Sequence, residues 1–434
     1  MLNRIKVENF KSLKNLDYKC AKLNLLTGLN GAGKSSFIQF LRLMRECADR
    51  IGAVYFLVPK SREFNVRFSD IRYCYAPHVV HFDPRFEVSF QGGDGVERAL
   101  KRSLTGADPD VVAMAHPDYE RMSFFVQDDS AAEKEYNEWR ERVTAEEKDG
   151  VSTFSTIWKG SRFVDAFRKK PCDVNHGGSY AGYEFLFNRM CQDYTIGTFN
   201  PEGGDVAEYL FKEKEDCENV KPSPMPLLDK VNECLQWVSP GARIVVDQEK
   251  VGEEEYYVSK ISFGKDAANG FKPQNVGFGI SYILPVLVTL LTARSGNIII
   301  IENPEAHLHP RGQAEIGKLI AEVVSRGVQV FVETHSDHVI NGIRVAVKKG
   351  LVKPEDVNIA FFERKPHVVD EVTWTAKTEN GLQRFAAKKA EWDHTEIYTE
   401  VHNIKIDENG SLSEYPTDFM NEWNIQQMKL FRRK

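Results

Sequence analysis

The residues with the most definite chemistry lie near the start of the chain, where Gly28-Leu29-Asn30-Gly31-Ala32-Gly33-Lys34-Ser35 fits the pattern G-x-x-x-x-G-K-[ST]. Glycines at this spacing let a backbone curl with its N–H groups turned inward, a cradle for phosphate oxygens. A helix that starts where the loop ends adds the positive end of its dipole. In such a loop Lys34 would bridge the β- and γ-phosphates of ATP. Ser35, with Ser36 beside it, would offer its hydroxyl to the accompanying Mg²⁺.

A second group of candidates lies some 270 residues downstream. The β-branched run Ile298 to Ile301 suits a buried parallel strand and ends in Glu302-Asn303-Pro304-Glu305. A carboxylate at that strand end can hold Mg²⁺ through water, a role that falls to Glu302. Val328 to Val332 form another apolar strand, ending in Glu333-Thr334-His335-Ser336-Asp337. Ligands bind at the carboxyl ends of strands in α/β sheets, so His335 is a candidate sensor of the γ-phosphate. Upstream, Asn275-Val276-Gly277-Phe278-Gly279-Ile280-Ser281 opens an apolar helix, and Gly277, Gly279 and Ser281 make a candidate anion site at its start. His307, His309 and His338 show no metal-ligand spacing, and Cys172 with His176 lacks the second pair a zinc site needs.

The elements that must position these groups follow from the patterning. Ile5 to Asn9 alternate apolar and polar, and Leu23 to Thr27 form a short apolar strand leading into the loop. Phe37, Ile38, Phe40, Leu41 and Met44 then recur at helical spacing. Because the two halves of the site sit at opposite ends of the chain, one core must be assembled from both, with a long insertion between. Val79 to Phe90 and Ala242 to Phe263 are strand-rich, and the stretch between them is mainly helical, with Ala131 to Lys148 dense in Glu, Lys and Arg as a solvated face would be. The expected organisation is residues 1–95 as the N-terminal part of the ATPase domain, 96–240 as the insertion, 241–350 as its C-terminal part, and 351–434 as a small C-terminal α/β element.

With 57 Lys and Arg against 63 Asp and Glu, the net charge of −6 excludes a globally basic nucleic-acid binder and leaves local contacts through Arg168-Lys169-Lys170 or Arg432-Arg433-Lys434 open. The seven cysteines form no CxxC pair and their number is odd, which fits a reducing compartment. No apolar run reaches the length of a spanning helix and the N-terminus has no apolar signal core. The expectation is a cytoplasmic protein with no membrane contact.

The order of phosphate loop, glycine-serine loop, acidic strand end and histidine strand end resembles ABC-type ATPases of the SMC, RecF and overcoming-lysogenisation-defect (OLD) group. The opening Ile5-Lys-Val-Glu-Asn-Phe-Lys-Ser is similar to theirs as well. More narrowly, Val276-Gly-Phe-Gly-Ile-Ser, Ile301-Glu-Asn-Pro-Glu-Ala-His-Leu-His-Pro and Glu333-Thr-His-Ser-Asp-His resemble stand-alone bacterial OLD-like AAA ATPases, which carry a small C-terminal domain like Ile404 to Phe419. The resemblance covers both ends of the chain and leaves about residues 100–240 uncovered.

It implies an α/β fold: an ABC-type P-loop NTPase with a mixed sheet core, an antiparallel β lobe and a mainly helical insertion. It also implies ATP and Mg²⁺ as cofactors, and a homodimer or higher homo-oligomer in which Gly277, Gly279 and Ser281 reach the γ-phosphate on the other subunit's loop. Asn303 stands where many ABC enzymes carry the catalytic glutamate. Glu305 is then the candidate to orient the attacking water, with slow or partner-stimulated turnover as the alternative. OLD nucleases add a Toprim domain with clustered metal-binding carboxylates, but the stretch after His335 holds Glu355-Asp356, Glu363 and Asp370 without a DxD pair. The favoured expectation is a dimeric ATP switch controlling a separate effector, a nuclease or toxin, in bacterial antiphage defence. The rival is a RecF- or OLD-type ATPase acting directly on DNA.

Overall fold

The computed structural model describes residues 1–46, 85–103, 156–158, 161–164, 174–176, 210, 226–251, 254–264, 270–271, 275–368, 371–378, 381–388, 395–416, 419 and 430. Most of the insertion expected at 96–240 lies outside them, including Ala131 to Lys148, the basic triplet at 168–170 and Cys172. So does the terminal triplet at 432–434.

The site is carried by a six-stranded sheet. Its strands are β3 (Leu23–Gly28), β6 (Arg162–Val164), β10 (Ile298–Glu302), β11 (Gln329–Glu333), β12 (Val357–Val368) and β15 (Thr395–Ile404), in the spatial order β15-β12-β3-β11-β10-β6. The inner pairs are parallel, and β15 runs antiparallel to β12 at the edge. All four isoleucines Ile298 to Ile301 are fully buried, as a strand covered on both faces requires. They divide by parity. Ile298, Ile300 and Phe331 face a core built with Phe37, Ile38 and Phe40 of α1 (Lys34–Glu46). Ile299, Ile301, Val330 and Val332 face a second core with α3 (Phe278–Leu291), α4 (Pro310–Ser325) and α5 (Asp337–Lys348). The period-two pleat produces this split. Phe37 lies at the centre of the first core, with its ring 4.8 Å from Tyr18, 6.0 Å from Phe362 and 6.5 Å from Phe331.

Beyond α1 lies an antiparallel sheet ordered β2-β1-β4-β5, made of β1 (Leu2–Phe10), β2 (Leu13–Lys19), β4 (Arg85–Gln91) and β5 (Glu97–Ser103). The strand-rich stretch Ala242 to Phe263 is an antiparallel hairpin of β8 (Ala242–Val251) and β9 (Glu254–Phe263), edged by β7 (Val174–His176) and packed beside α2 (Leu227–Val238). A further hairpin, β13 (Glu371–Thr378) with β14 (Gly381–Lys388), sits between β12 and β15 in the chain. The central sheet runs on past residue 350: β12 pairs directly with the phosphate-loop strand, Ala360 opposite Leu26 and Phe362 opposite Gly28.

Two glycines set the spacing of the outer helices. A Cβ on Gly317 of α4 would stand 2.2 Å from the Val339 carbonyl oxygen, and one on Gly342 of α5 would stand 2.1 Å from that of Ala314. Only hydrogen side chains allow this approach. Ser336 caps α5 by accepting from the N–H groups of His338 and Val339, both at 3.1 Å, which fixes the chain just after His335.

Candidate nucleotide site

The loop from Gly28 to Ser35 joins β3 to α1 and packs on β12 and β15. Gly28 (φ 135°) and Gly33 (φ 109°) both lie in backbone space that suits glycine, and both face close neighbours. A Cβ on Gly28 would meet the Phe362 carbonyl oxygen at 2.1 Å, and one on Gly33 would meet Thr399 Oγ1 at 2.3 Å. The Thr399 hydroxyl lies 2.9 Å from the Ala32 carbonyl oxygen and 2.8 Å from Ser12 Oγ. Asn30 and Gly31 at the tip of the loop are exposed, and Ser36 is half-buried.

Lys34 is 3% exposed, and its Nζ donates to the carbonyl oxygens of Gly28 and Leu29 at 2.9 Å each. The same ammonium is 3.9 Å from Glu333 Oε1. The exposed Ser35 donates its hydroxyl to that oxygen at 3.3 Å. Burial lowers the pKa of Lys34, with Glu333 opposing, and raises that of Glu333, with Lys34 and Ser35 opposing and Glu305 adding to the rise. Lost hydration outweighs the mutual attraction of this pair in both directions.

Three strand ends meet here. Glu302 and Glu333 are register partners at the ends of β10 and β11, and the Asn303 N–H donates to the Glu333 carbonyl oxygen at 2.8 Å. Glu305 is anchored to the β11 end, its carboxylate accepting from Thr334 Oγ1 and the His335 N–H at 2.9 Å each. The loop between them is strained, with Asn303 at φ 46° and His307 at φ 62°. The exposed His335 has its pKa lowered, first by partial burial and then by Lys34.

The glycine-serine loop leans elsewhere. Gly277 caps α3 and is exposed, whereas a Cβ on Gly279 would stand 2.5 Å from the His307 carbonyl oxygen, and the Tyr282 ring meets the His307 ring edge-on at 4.9 Å. Ser281 is fully buried, so the hydroxyl expected to reach a phosphate lies inside the chain.

The structure therefore gathers Lys34, Ser35, Glu302, Asn303, Glu305 and His335 at the ends of β3, β10 and β11. It rests Gly279 against the loop after β10 and leaves Gly277 exposed. Sequence reading passed over Glu333, whose place at a strand end two residues before His335 was the available signal. It also passed over Thr399 and Ser12, for which no local signal existed.

The hydroxyl of Ser35 and the carboxylate of Glu333, 3.3 Å apart, are oxygen donors that fit a hard divalent cation such as Mg²⁺, with Glu302 at the end of the next strand. Among the described residues no group of three His, Cys, Asp or Glu would hold a metal by itself. An ion shared with nucleotide phosphates needs no such group. No helix among the described residues is long and apolar enough to cross a membrane.

Comparison with known proteins bears on this geometry. Residues 198–341, which contain the glycine-serine loop and both acidic strand ends, match a family whose description reads "AAA domain, putative AbiEii toxin, Type IV TA system". The chain is also 23% identical over 361 residues to the OLD nuclease of Thermus scotoductus. The chain is thus similar in sequence to an OLD nuclease. The match to that OLD nuclease takes in 77% of this chain and 59% of the relative, so the chain spans less than two thirds of the curated protein it matches. Residues 389–430, with Thr399 among them, match a family described as a protein of unknown function, DUF3696. Among solved structures, the chain is similar to the SmcHead bound to the C-winged helix domain of ScpA (TM-score 0.41, 11% identity, covering 89% of this chain and 97% of that one). It is also similar to the SMC head domain from Thermotoga maritima (TM-score 0.36, 10% identity, covering 89% and 99%).

Proposed function

We propose that this chain binds ATP with Mg²⁺, hydrolyses it slowly, and uses the cycle to switch a dimer that controls a separate effector. One observation carries the reading: a nearly buried Lys34 and the hydroxyl of Ser35 converge with the anchored carboxylate of Glu305 and with His335. In this reading the N–H groups of the loop and Lys34 bind phosphate oxygens, and Ser35 and a strand-end carboxylate hold the cation. Mg²⁺ would neutralise charge on the phosphates. Glu305, fixed by its two hydrogen bonds, orients the attacking water. The imidazole of His335 donates to the γ-phosphate. Asn303 supplies an amide where a carboxylate would activate water more strongly, which is why turnover is slow.

Dimerisation is supported by the direction in which the motifs lean. The phosphate loop rests on β12 and β15, whereas the glycine-serine loop rests against His307 beyond β10, with Gly277 facing solvent. A second copy would bring its Gly277 and the N-terminus of α3 to the first copy's nucleotide. The Type IV TA system named in the description of the matching family supports an effector of toxin type. The second reading, direct action on DNA, is favoured by the nuclease named among its relatives.

The test measures ATP hydrolysis and mass in solution for the wild type, Lys34→Ala, Glu305→Gln and His335→Ala. Turnover lost in the first two variants, with ATP-dependent doubling of mass in the wild type, supports the reading. A wild-type chain that neither binds ATP nor changes mass sinks it, and metal-dependent cleavage of DNA by the purified chain would favour the second reading.

A further inference from the structure

The carboxylate of Glu333, at the end of β11, meets the phosphate loop. Strand β11 lies between β3 and β10, so the end of β11 stands one strand nearer the loop than Glu302 does. From there Glu333, 6% exposed, turns Oε1 toward the Ser35 hydroxyl at 3.3 Å and the Lys34 ammonium at 3.9 Å. We propose that Glu333 is the protein carboxylate that, with Ser35, holds the divalent cation accompanying the nucleotide, Glu302 standing one strand farther away. This rests on the nucleotide reading above and assigns its metal.

Three features support the assignment. Burial of an ionised carboxylate is costly unless a cation or hydrogen bonds compensate it, and the buried ammonium beside it is engaged by the Gly28 and Leu29 carbonyl oxygens at 2.9 Å, nearer than Glu333. A Lys34 that swings to phosphate needs a cation between that phosphate and Glu333, because two anions at this range repel strongly. The spacing also fits. The 3.3 Å between Ser35 Oγ and Glu333 Oε1 is long for an O–H···O bond. Adjacent vertices of an octahedron with ligands at about 2.1 Å stand about 3 Å apart. Finally, the backbone at Glu333 is held on both sides, by Asn303 N–H donating to its carbonyl at 2.8 Å and by Thr334 N–H donating to the Leu26 carbonyl at 3.1 Å. The alternative role for Glu333 is a counter-charge to Lys34 that nucleotide must displace.

The two roles separate by experiment. Affinity for a fluorescent ATP analogue is measured in EDTA and in Mg²⁺ for the wild type, Glu333→Gln, Glu333→Asp and Glu302→Gln, and binding of Mn²⁺ in the presence of the analogue is followed by loss of the free-ion electron paramagnetic resonance signal. The expected result is that Glu333→Gln reduces the Mg²⁺-dependent gain in affinity tenfold or more and weakens Mn²⁺ binding equally, while affinity in EDTA is kept or improved. Glu333→Asp retains the charge but draws the carboxylate back, and should lose most of the gain too. Glu302→Gln should change it less. Far-UV circular dichroism checks that each variant is folded. Equal strengthening with and without Mg²⁺ in Glu333→Gln, or a Glu333→Asp that behaves as the wild type, would overturn the assignment in favour of the counter-charge. A wild-type chain whose nucleotide affinity ignores Mg²⁺ would overturn the nucleotide reading itself and this assignment with it.

Discussion

The hydroxyl of Thr399 lies 2.9 Å from the carbonyl oxygen of Ala32, joining the last strand of the central sheet to the middle of the phosphate loop across 367 positions of sequence. A segment within the stretch matched to DUF3696 thus buttresses the loop expected to hold phosphate. Thr399 is buried, and removing its hydroxyl leaves a buried carbonyl unsatisfied, a cost of about 1–3 kcal/mol. Thr399→Val should lower the melting temperature by several degrees and weaken nucleotide binding about tenfold or more, whereas Thr399→Ser should keep both near wild type. Calorimetric titration with ATP and thermal unfolding check this, and equal behaviour of the two variants would argue against the buttress.

Gly28→Ala should be worse. Its methyl would meet a backbone oxygen 2.1 Å away at φ 135°, with no flexible side chain able to yield. Nucleotide binding should be lost, accompanied by destabilisation of about 2 kcal/mol or more. By contrast Gly31→Ala, whose added methyl has nothing within 4 Å, should lose only the modest cost of a left-handed backbone. Denaturant melts and titrations of the two variants provide the comparison.

Asn303 sits where the backbone favours its side chain. At φ 46° the backbone is left-handed, a conformation that asparagine tolerates better than most residues. Asn303→Glu should therefore cost about 1 kcal/mol of stability and fail to turn the chain into a fast enzyme, while Asn303→Gly should retain stability. A variant that gained turnover a hundredfold without losing stability would contradict this account.

Cys234, on α2, packs in the core below the helices, and burial, with Glu233 and Glu322 adding negative charge, pushes its thiol up to about 12. At pH 8 it should be alkylated roughly a thousandfold more slowly than an ordinary thiol, since only the thiolate reacts. Peptide mapping after iodoacetamide treatment tests this, with a denatured control that should label fully.

What the chain states locally is what could be read without a structure. The eight residues of the loop curl because of their own glycines, Ile298 to Ile301 make a buried strand because each side chain is apolar and β-branched, and the apolar spacing from Phe37 to Met44 marks one face of α1. The ends of β10 and β11 were legible for the same reason, since a polar cluster follows an apolar run. Only the tertiary structure decided which carboxylate faces Ser35, that Ser281 points inward, and that Thr399 props the loop. Strand order put β11 beside β3, and the pairing of β12 with both β3 and β15 brought Thr399 to Ala32. Such contacts join residues hundreds of positions apart, and local pattern carries no record of which distant strands pair.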